Sequence, residues 1–567
     1  MTAILLAAAA LVVLVVGYRL YSPRVERWLG VDLEKPTPAV EINDGRDFVP
    51  ARHWTVLFGH HFASIAGAAP IIGPVIACLY WGWLPAVLWI VFGGLLFGAV
   101  HDFTSLALSL KHKGQSIATV AGSELGRGGR ILFSLFLFLT LILIVAVFAA
   151  SAGNTLATTP RVVVPTFGLI LVAMIVGALM YRTPLPTVVS SIVGVVLLFG
   201  LIVLGYYVPV ELPVENAAKW WTLILLVYGL VASVVPVTVL LQPRDHLAAA
   251  VLFLGMLFGF VGLAITHPEI KAPAVVGLAS GKGWLWPMLF VNIACGAISG
   301  FHSLVSSGTT SKQLPRMRDA RPIAYGGMVM ESALGVLAVI AVTAGLYWKT
   351  MPAGASGAVY QTVFQEGGWI KAFGVGYGEI TKGLLQGLGM LVGITMLKTF
   401  IMTTLDSATR ITRYVCNELF GDMLGIALFK NTYVATAVVG LGAGALALGN
   451  WRAVWPVFGS ANQLIASLVL IVASAYLLRR GRRCLFVAIP AVAMLITTFG
   501  AMVYNLHMFL TADEPKYLLA VITILLMIMA LFLVGRSILA LRGAKSGEPA
   551  EPQPDENDGW PAVGISD

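Results

Sequence analysis

Seven ionisable side chains stand inside stretches otherwise apolar enough to cross a bilayer: His60, His61, His101, Asp102, His302, Glu331 and Lys398. Asp406 stands near the end of another such stretch. A charge at the bilayer centre costs roughly 2.5–3.5 kcal/mol on insertion scales, so such groups face a partner or a water-filled cavity. Histidine titrates near neutral pH, which suits it to take up and release a proton. A carboxylate beside it holds a proton when burial penalises its charged form. Each candidate also has a plainer reading. His60, His61 and His302 either bond a carbonyl freed by a helix break, contact a solute or proton, or ligate a metal. Asp102 and Glu331 either join helices by pairing with Lys398 or a histidine, or one of them carries a coupling proton. Lys398 either neutralises a carboxylate or attracts an anionic solute.

Two stretches must position these groups. His53–Gly82 is long enough to span, yet it holds Gly59, Gly67, Gly73, Pro70 and Pro74, which loosen the helix or delete its N–H groups. Trp286–Thr310 breaks in the same manner at Gly296, Gly300 and Gly308. Irregular backbone at membrane depth persists only where protein or a cavity surrounds it. The pattern predicts two broken transmembrane helices with a solute pocket between Gly67–Ala69 and Gly296–Gly300. Ser64, Ser303, Ser306, Ser307 and Thr309 would supply hydroxyls, and half-helix N-termini would favour an anionic or zwitterionic solute. Gly93–Gly94 precedes His101–Asp102, and Gly326–Gly327 precedes Glu331, so the following spans rhyme as well. The second unit would run inverted, as in LeuT-like transporters.

The chain of 567 residues is 58% hydrophobic and 11% charged, which places it among polytopic membrane proteins. About fifteen apolar segments reach spanning length: 3–20, 53–79, 84–110, 131–153, 163–181, 186–207, 220–241, 247–266, 284–310, 324–347, 383–408, 432–449, 456–478, 485–508 and 517–540. With the N-terminus outside, 26 of the 36 Lys and Arg fall in inside loops, nine outside, and Lys398 in a span. That bias supports an outside N-terminus and a cytoplasmic C-terminus. The inside set counts Arg244 as a loop residue. Seven of the eight membrane ionisables lie six to ten residues from the cytoplasmic end of their spans, about 9–15 Å deep, which predicts a polar chamber in the cytoplasmic half. The first apolar run has no basic segment ahead of it and is expected to be retained as a helix. Cys78, Cys295, Cys416 and Cys484 lack metal-ligand spacing and are expected as free thiols. Residues 348–382 read as a Gly-rich external loop, and 543–567 as a disordered tail. No Gly-x-x-x-x-Gly-Lys-Ser/Thr phosphate loop occurs, which argues against ATP-driven transport. The spread of positive charge over cytoplasmic loops argues against nucleic-acid binding.

The strings GRDFVPARHWTVLFGHHFASIAGAAPIIGP, QPRDHL, CGAISGFHSLVSSGTTSKQ, YGGMVMES, TTLDSATR and FGSANQL resemble the carbon-starvation protein A (CstA) family, from about Asp44 to Leu478. The resemblance implies an inner-membrane uptake system for pyruvate or small peptides. It also implies an all-α polytopic fold of the amino acid–polyamine–organocation superfamily, a LeuT-like 5+5 inverted repeat with peripheral helices. The expected layout is a first helix and linker at 1–52, a first repeat at 53–207, and two intervening helices at 208–283. An inverted repeat at 284–478, two helices at 479–542 and the tail follow. In such carriers the span holding Met402–Arg410 supplies a cation site. Thr403, Thr404 and Ser407, with carbonyls around Ala63 to Ala66, could then hold Na⁺, or Asp406 could protonate there. The plainer reading pairs Asp406 with Arg410, four residues on. Asn462 and Gln463 are expected to hydrogen-bond between helices. The function expected is a proton-coupled secondary carrier, with Na⁺ as the other possible ion and no enzyme activity, cofactor or metal. The alternatives are a membrane metal or haem protein with histidine ligands, and a sensor that transports nothing.

Overall fold

The computed structural model of the chain describes residues 2–45, 47–237, 239–354, 356–449 and 451–545. The tail expected at 543–567 lies outside them beyond Lys545. Helices dominate. In chain order the main ones are α1 (Ala3–Leu29), α2 (Trp54–Ala66), α3 (Ala69–Tyr80), α4 (Trp83–Lys111), α5 (Ile117–Thr158) and α6 (Val163–Arg182). Then come α7 (Thr187–Tyr207), α8 (Ala217–Val234), α9 (Leu241–Thr266), α10 (Leu285–Asn292), α11 (Gly300–Val305) and α12 (Ala320–Gly345). The last are α13 (Tyr360–Leu385), α14 (Gly389–Cys416), α15 (Thr432–Ala447), α16 (Trp451–Arg479), α17 (Leu485–Thr511) and α18 (Tyr517–Lys545). Among the described residues, thirteen helical stretches are long and apolar enough to cross a membrane, with Trp54–Tyr80 counted as one across its short break. The segments 284–310 and 432–449 fall short for different reasons: the first is interrupted, and the helix in the second has only 16 residues.

The first interruption is two residues wide. Gly67 takes φ +50°, a left-handed value that favours glycine, and helix resumes at Ala69 with Pro70 in its first turn. The second is wider: residues 293–299 are not helical, and Gly296 takes φ +91°. Gly308, by contrast, breaks nothing, because the chain runs from α11 straight into a π-helical turn, Ser306–Thr310. The two gaps face each other. Asn292 Nδ2 donates to Gly73 O at 3.2 Å, and a methyl on Gly296 would touch Pro70 Cα at 3.6 Å.

Two expectations fail here. Residues 360–385 form helix α13, with Tyr360, Phe373 and Tyr377 buried, where the composition suggested a loop. Gly376 serves packing: a methyl there would collide with Ala341 O on α12. Arg244 is also no loop residue. It lies in the first turn of α9, buried, directly after Pro243, a position where proline's missing N–H has no helical partner to lose. Helix α9 runs along α2, with Phe253 stacked on Phe58 and Phe62, and Gly59 admits the backbone of His246. The pair α6–α7 packs outside this group, and α7 leaves one apolar face uncovered. The linker before α2 is ordered: Val49 N and Ala51 N donate to Lys312 O and Gln313 O. All four cysteines are free thiols.

Gly73→Ala should lower the unfolding temperature in detergent, because the added methyl would overlap Asn292 O. Overpacking of that kind costs about 1–3 kcal/mol. Gly200→Ala, whose methyl meets nothing within 4 Å, should leave the temperature unchanged or slightly raised. Equal unfolding temperatures for the two variants would contradict the close approach of the gaps.

Candidate functional site

The second gap carries a buried chain of acids and imidazoles. Asp102, on α4, accepts from His101 Nδ1 at 3.0 Å and from His302 Nδ1 at 2.8 Å. His302, on α11, places its other ring nitrogen 3.4 Å from Glu331 Oε2. Glu331, on α12, accepts the N–H of Gly296 through its second oxygen at 3.0 Å. All of these side chains are fully buried. The carboxylate–imidazole–carboxylate row therefore ends on a main-chain N–H that the broken helix leaves without a helical partner. Cys295 lies beside the same histidine; its sulfur and the ligand atoms of His302 and Glu331 all fall within 4.8 Å of one another.

A second buried cluster joins α2, α8, α9 and α14. His60 Nδ1 donates to Asp245 at 2.6 Å, and Arg244 Nη2 donates to the other oxygen of Asp245 at 2.7 Å. Arg244 also pairs with Asp406, which accepts from Tyr228 Oη at 2.8 Å. Asp406 is thus held by Arg244 and not by Arg410. Arg410 turns away to Asp47 at 3.3 Å and to Ala232 O, because a buried carboxylate already has a guanidinium closer across the helix interface. Gln313 bonds Gln242 and lies 3.5 Å from His60 Nε2.

The remaining sequence candidates divide. His61 Nδ1 bonds Thr310 Oγ1 at 2.8 Å, while its Nε2 is buried without a hydrogen bond. At the first gap Thr404 Oγ1 donates to Ser64 O at 3.2 Å, and Ser64 Oγ lies 2.9 Å from Ser407 Oγ. Thr403 instead bonds Thr399 O in its own helix. Gly67 packs against Thr404, and Gly300 against Asn462 O, at distances that admit no side chain. Ser303 and Ser307 bond carbonyls of their own helix, and Ser306 reaches Asp102 O at 3.4 Å. Asn462 caps α11 by accepting the Phe301 N–H at 2.8 Å and donating to Ser299, and Gln463 donates to Phe290 O. Lys398 meets no carboxylate among the described residues; it donates to Ala152 O at 2.5 Å.

Near the basic end, where a polar chamber is expected, the structure shows a small cavity. The cavity there, lined by Ser307, Lys312, Tyr414 and Glu418 among others, holds about 10 Å³, room for about one water. The large space, about 920 Å³, opens at the opposite end. Its walls include Ile76 and Asn292 near the gaps, Ser151 and Asn154 of α5, and Trp369 and Trp455. Sequence reasoning passed over Arg244, Asp245, Tyr228 and Thr310. QPRDHL marked the first two, but charge density beside a proline made them resemble a loop.

A family model described as "Carbon starvation protein CstA" matches residues 2–359 and 347–501. The pyruvate/proton symporter BtsT of Escherichia coli (strain K12) is 32% identical over 91% of this chain and 83% of its own length. The peptide transporter CstA of Campylobacter jejuni is 32% identical over 88% and 79%, and that of Bacillus subtilis 30% over 94% and 96%. Among solved structures, the Eremococcus coleocola manganese transporter bound to an aromatic bis-isothiourea compound gives a TM-score of 0.50 at 12% identity. It covers 89% of this chain and 99% of that one. A mutant of the same transporter gives 0.51 at 13%. Likeness at that identity concerns the fold: a polytopic helical membrane protein.

Arg244→Met should destabilise the protein strongly, since it strands two buried carboxylates; breaking a buried pair costs about 3–5 kcal/mol. Adding Asp245→Asn and Asp406→Asn should restore much of the loss. Thermal unfolding in detergent reads both, and a triple variant no more stable than the single one would refute the charge assignment.

Proposed function

This chain belongs to the carbon starvation protein CstA family, and from that premise we propose that it imports pyruvate or short peptides together with protons. Its relatives include a pyruvate/proton symporter and peptide transporters. The observation that carries proton coupling is the row Asp102–His302–Glu331 ending on the Gly296 N–H. A proton arriving at Glu331 weakens its hold on that N–H, because a neutral acid is the poorer acceptor. Protonation is thereby felt at the gap between α10 and α11, which lies against Pro70 in the first turn of α3, just past the other gap. Asp102 accepts from His302 Nδ1 and holds its ring in place. Asp406 serves to anchor Arg244, and the hydroxyls of Thr404 and Ser407 hold α14 to the first gap.

A space of about 920 Å³ at one end and about 10 Å³ at the other supports alternating access, with this conformation open outward. The basic loops cluster at the closed end, which supports a cytoplasmic position for that end, an outside N-terminus and residence in the inner membrane. The packing also supports a revised repeat. Helix α9 packs on α2 at Gly59 as α16 packs on α11 at Gly300. The first five-helix unit is then α2–α3, α4, α5, α8 and α9, with α6–α7 inserted.

One observation favours a second reading: Cys295, His302 and Glu331 could together ligate a metal ion. Stoichiometric zinc or another transition metal in the purified protein, lost on Cys295→Ser, would select it.

In proteoliposomes with an acidic exterior, labelled pyruvate or dialanine should accumulate. His302→Ala and Glu331→Gln should reduce gradient-driven accumulation by about tenfold or more, the scale of a charged hydrogen bond. Their membrane insertion should be unchanged. Accumulation at wild-type levels in both variants would remove the row from the mechanism. Accumulation driven by Na⁺ alone would move coupling to Ser64, Thr404 and Ser407.

A further inference from the structure

Among the described residues, Lys398 is a buried cation without a counter-charge. It is 1% exposed, and its ammonium group donates to Ala152 O at 2.5 Å. An ammonium has three N–H donors. No carboxylate among the described residues pairs with it, and removing a charge from water without compensation is expensive. Arg244, buried to the same degree, has Asp245 and Asp406.

Two further polar groups on the same two helices, close to it in sequence or across the Ala152 bond, are also unsatisfied. Ser151 Oγ, adjacent in sequence to the residue that Lys398 bonds, is buried without a hydrogen bond. Thr395 Oγ1, one turn before Lys398 on α14, is buried without one as well. The α5–α14 interface thus holds an ammonium and two hydroxyls, none neutralised or saturated. The place matters: Ser151 on α5 and Ile394 on α14 both line the large cavity. Lys398 stands one turn below Ile394, about 6 Å along the helix axis. Its four-carbon stem lets the ammonium leave Ala152 O without the helix moving.

We infer that Lys398, with Ser151 and Thr395, binds the carboxylate of the transported solute at the floor of the outer cavity. The ligand class is a small monocarboxylate: either a free 2-oxo acid such as pyruvate or the C-terminus of a short peptide. This rests on the transport reading and adds to it the group that the protein recognises. It separates two tasks: the row ending at Gly296 handles the proton, and the α5–α14 interface handles the anion. A solute entering from outside supplies the missing negative charge, and the free hydroxyls supply donors to its second oxygen.

The test uses the full chain in nanodiscs. Binding is measured by thermal stabilisation and by scintillation proximity with pyruvate, dialanine, and their uncharged counterparts pyruvamide and dialanine amide. The wild type should bind the two carboxylates and bind the amides weakly. Lys398→Gln should weaken carboxylate binding by about tenfold or more, the loss expected for a charge-assisted hydrogen bond, and level carboxylate with amide. Ser151→Ala, a smaller change less prone to misfolding, should weaken the carboxylates by about threefold to tenfold and leave the amides unmoved. Preference for pyruvate over dialanine, or the reverse, identifies the source of the carboxylate. If Lys398→Gln and Ser151→Ala both keep wild-type discrimination between acid and amide, the assignment is overturned while transport stands. If Lys398→Gln does not fold, the Ser151→Ala result decides alone. If the wild type transports neither solute, the transport reading falls. The anion site is then judged by acetate and lactate in the same assay: stabilisation abolished by Ser151→Ala keeps it, and no stabilisation of the wild type removes it.

Discussion

Inside a bilayer a free N–H needs a partner, and at Gly296 the partner is a carboxylate. That single bond, from the Gly296 main chain to Glu331 at 3.0 Å, is what lets the second crossing stay broken. Without an acceptor the gap would expose an unsatisfied donor where no lipid can bond it. The choice of a carboxylate rather than an amide has a consequence. An acid can exchange a proton, so the strength of the bond that holds the gap depends on what His302 and Asp102 are doing. The same economy governs the other end of that segment, where Asn462 accepts the Phe301 N–H and caps α11. An amide cannot titrate, so that end is fixed. One end of the gap is therefore adjustable and the other is not.

The second cluster has a different character. Arg244 gathers Asp245, Asp406 and Tyr228, and His60 closes on Asp245. Each acid there has a permanent cation, so the group is built to hold α2, α8, α9 and α14 together near the closed end. It lies on the side of the small cavity of about 10 Å³. A charged lock of this type is rigid while dry. Water admitted from the closed end would solvate its ions individually and reduce their mutual attraction. The cluster thus opposes opening of that end in the conformation described here.

Much of this could be read from the chain alone, because glycine and proline at membrane depth weaken a helix where lipid cannot take over its lost hydrogen bonds. Gly67, Pro70 and Gly296 marked both gaps, and Asp102, His302 and Glu331 were visible as charges in apolar runs. What could not be read was pairing. Asp102 and Glu331 both meet His302, a relation between residues some 30 to 200 positions apart that no local pattern encodes. Local pattern misled where two meanings coincide. Asp406 and Arg410 have helical spacing for a pair, yet a tertiary partner, Arg244, took the carboxylate. The glycines of 367–378 resembled a loop because flexibility and close helix packing draw on the same residue. Gly376, against Ala341 O, shows which meaning holds.

The cations placed deep in the bundle are paired unequally. Arg244 and Arg410 meet acids, and Lys398 is bonded to a carbonyl. Arginine, with its fixed fork and permanent charge, occupies the positions that hold helices together. Lysine, a mobile point charge on a long stem, occupies the position next to the open cavity. An arginine locked to a carboxylate could not release one partner for another without leaving that partner stranded. An ammonium resting on a main-chain carbonyl can, since the carbonyl loses only a neutral hydrogen bond. On the proposed role of Lys398, the distribution of the two cations follows the distinction between the parts of the bundle that stay assembled and the part that exchanges its contents.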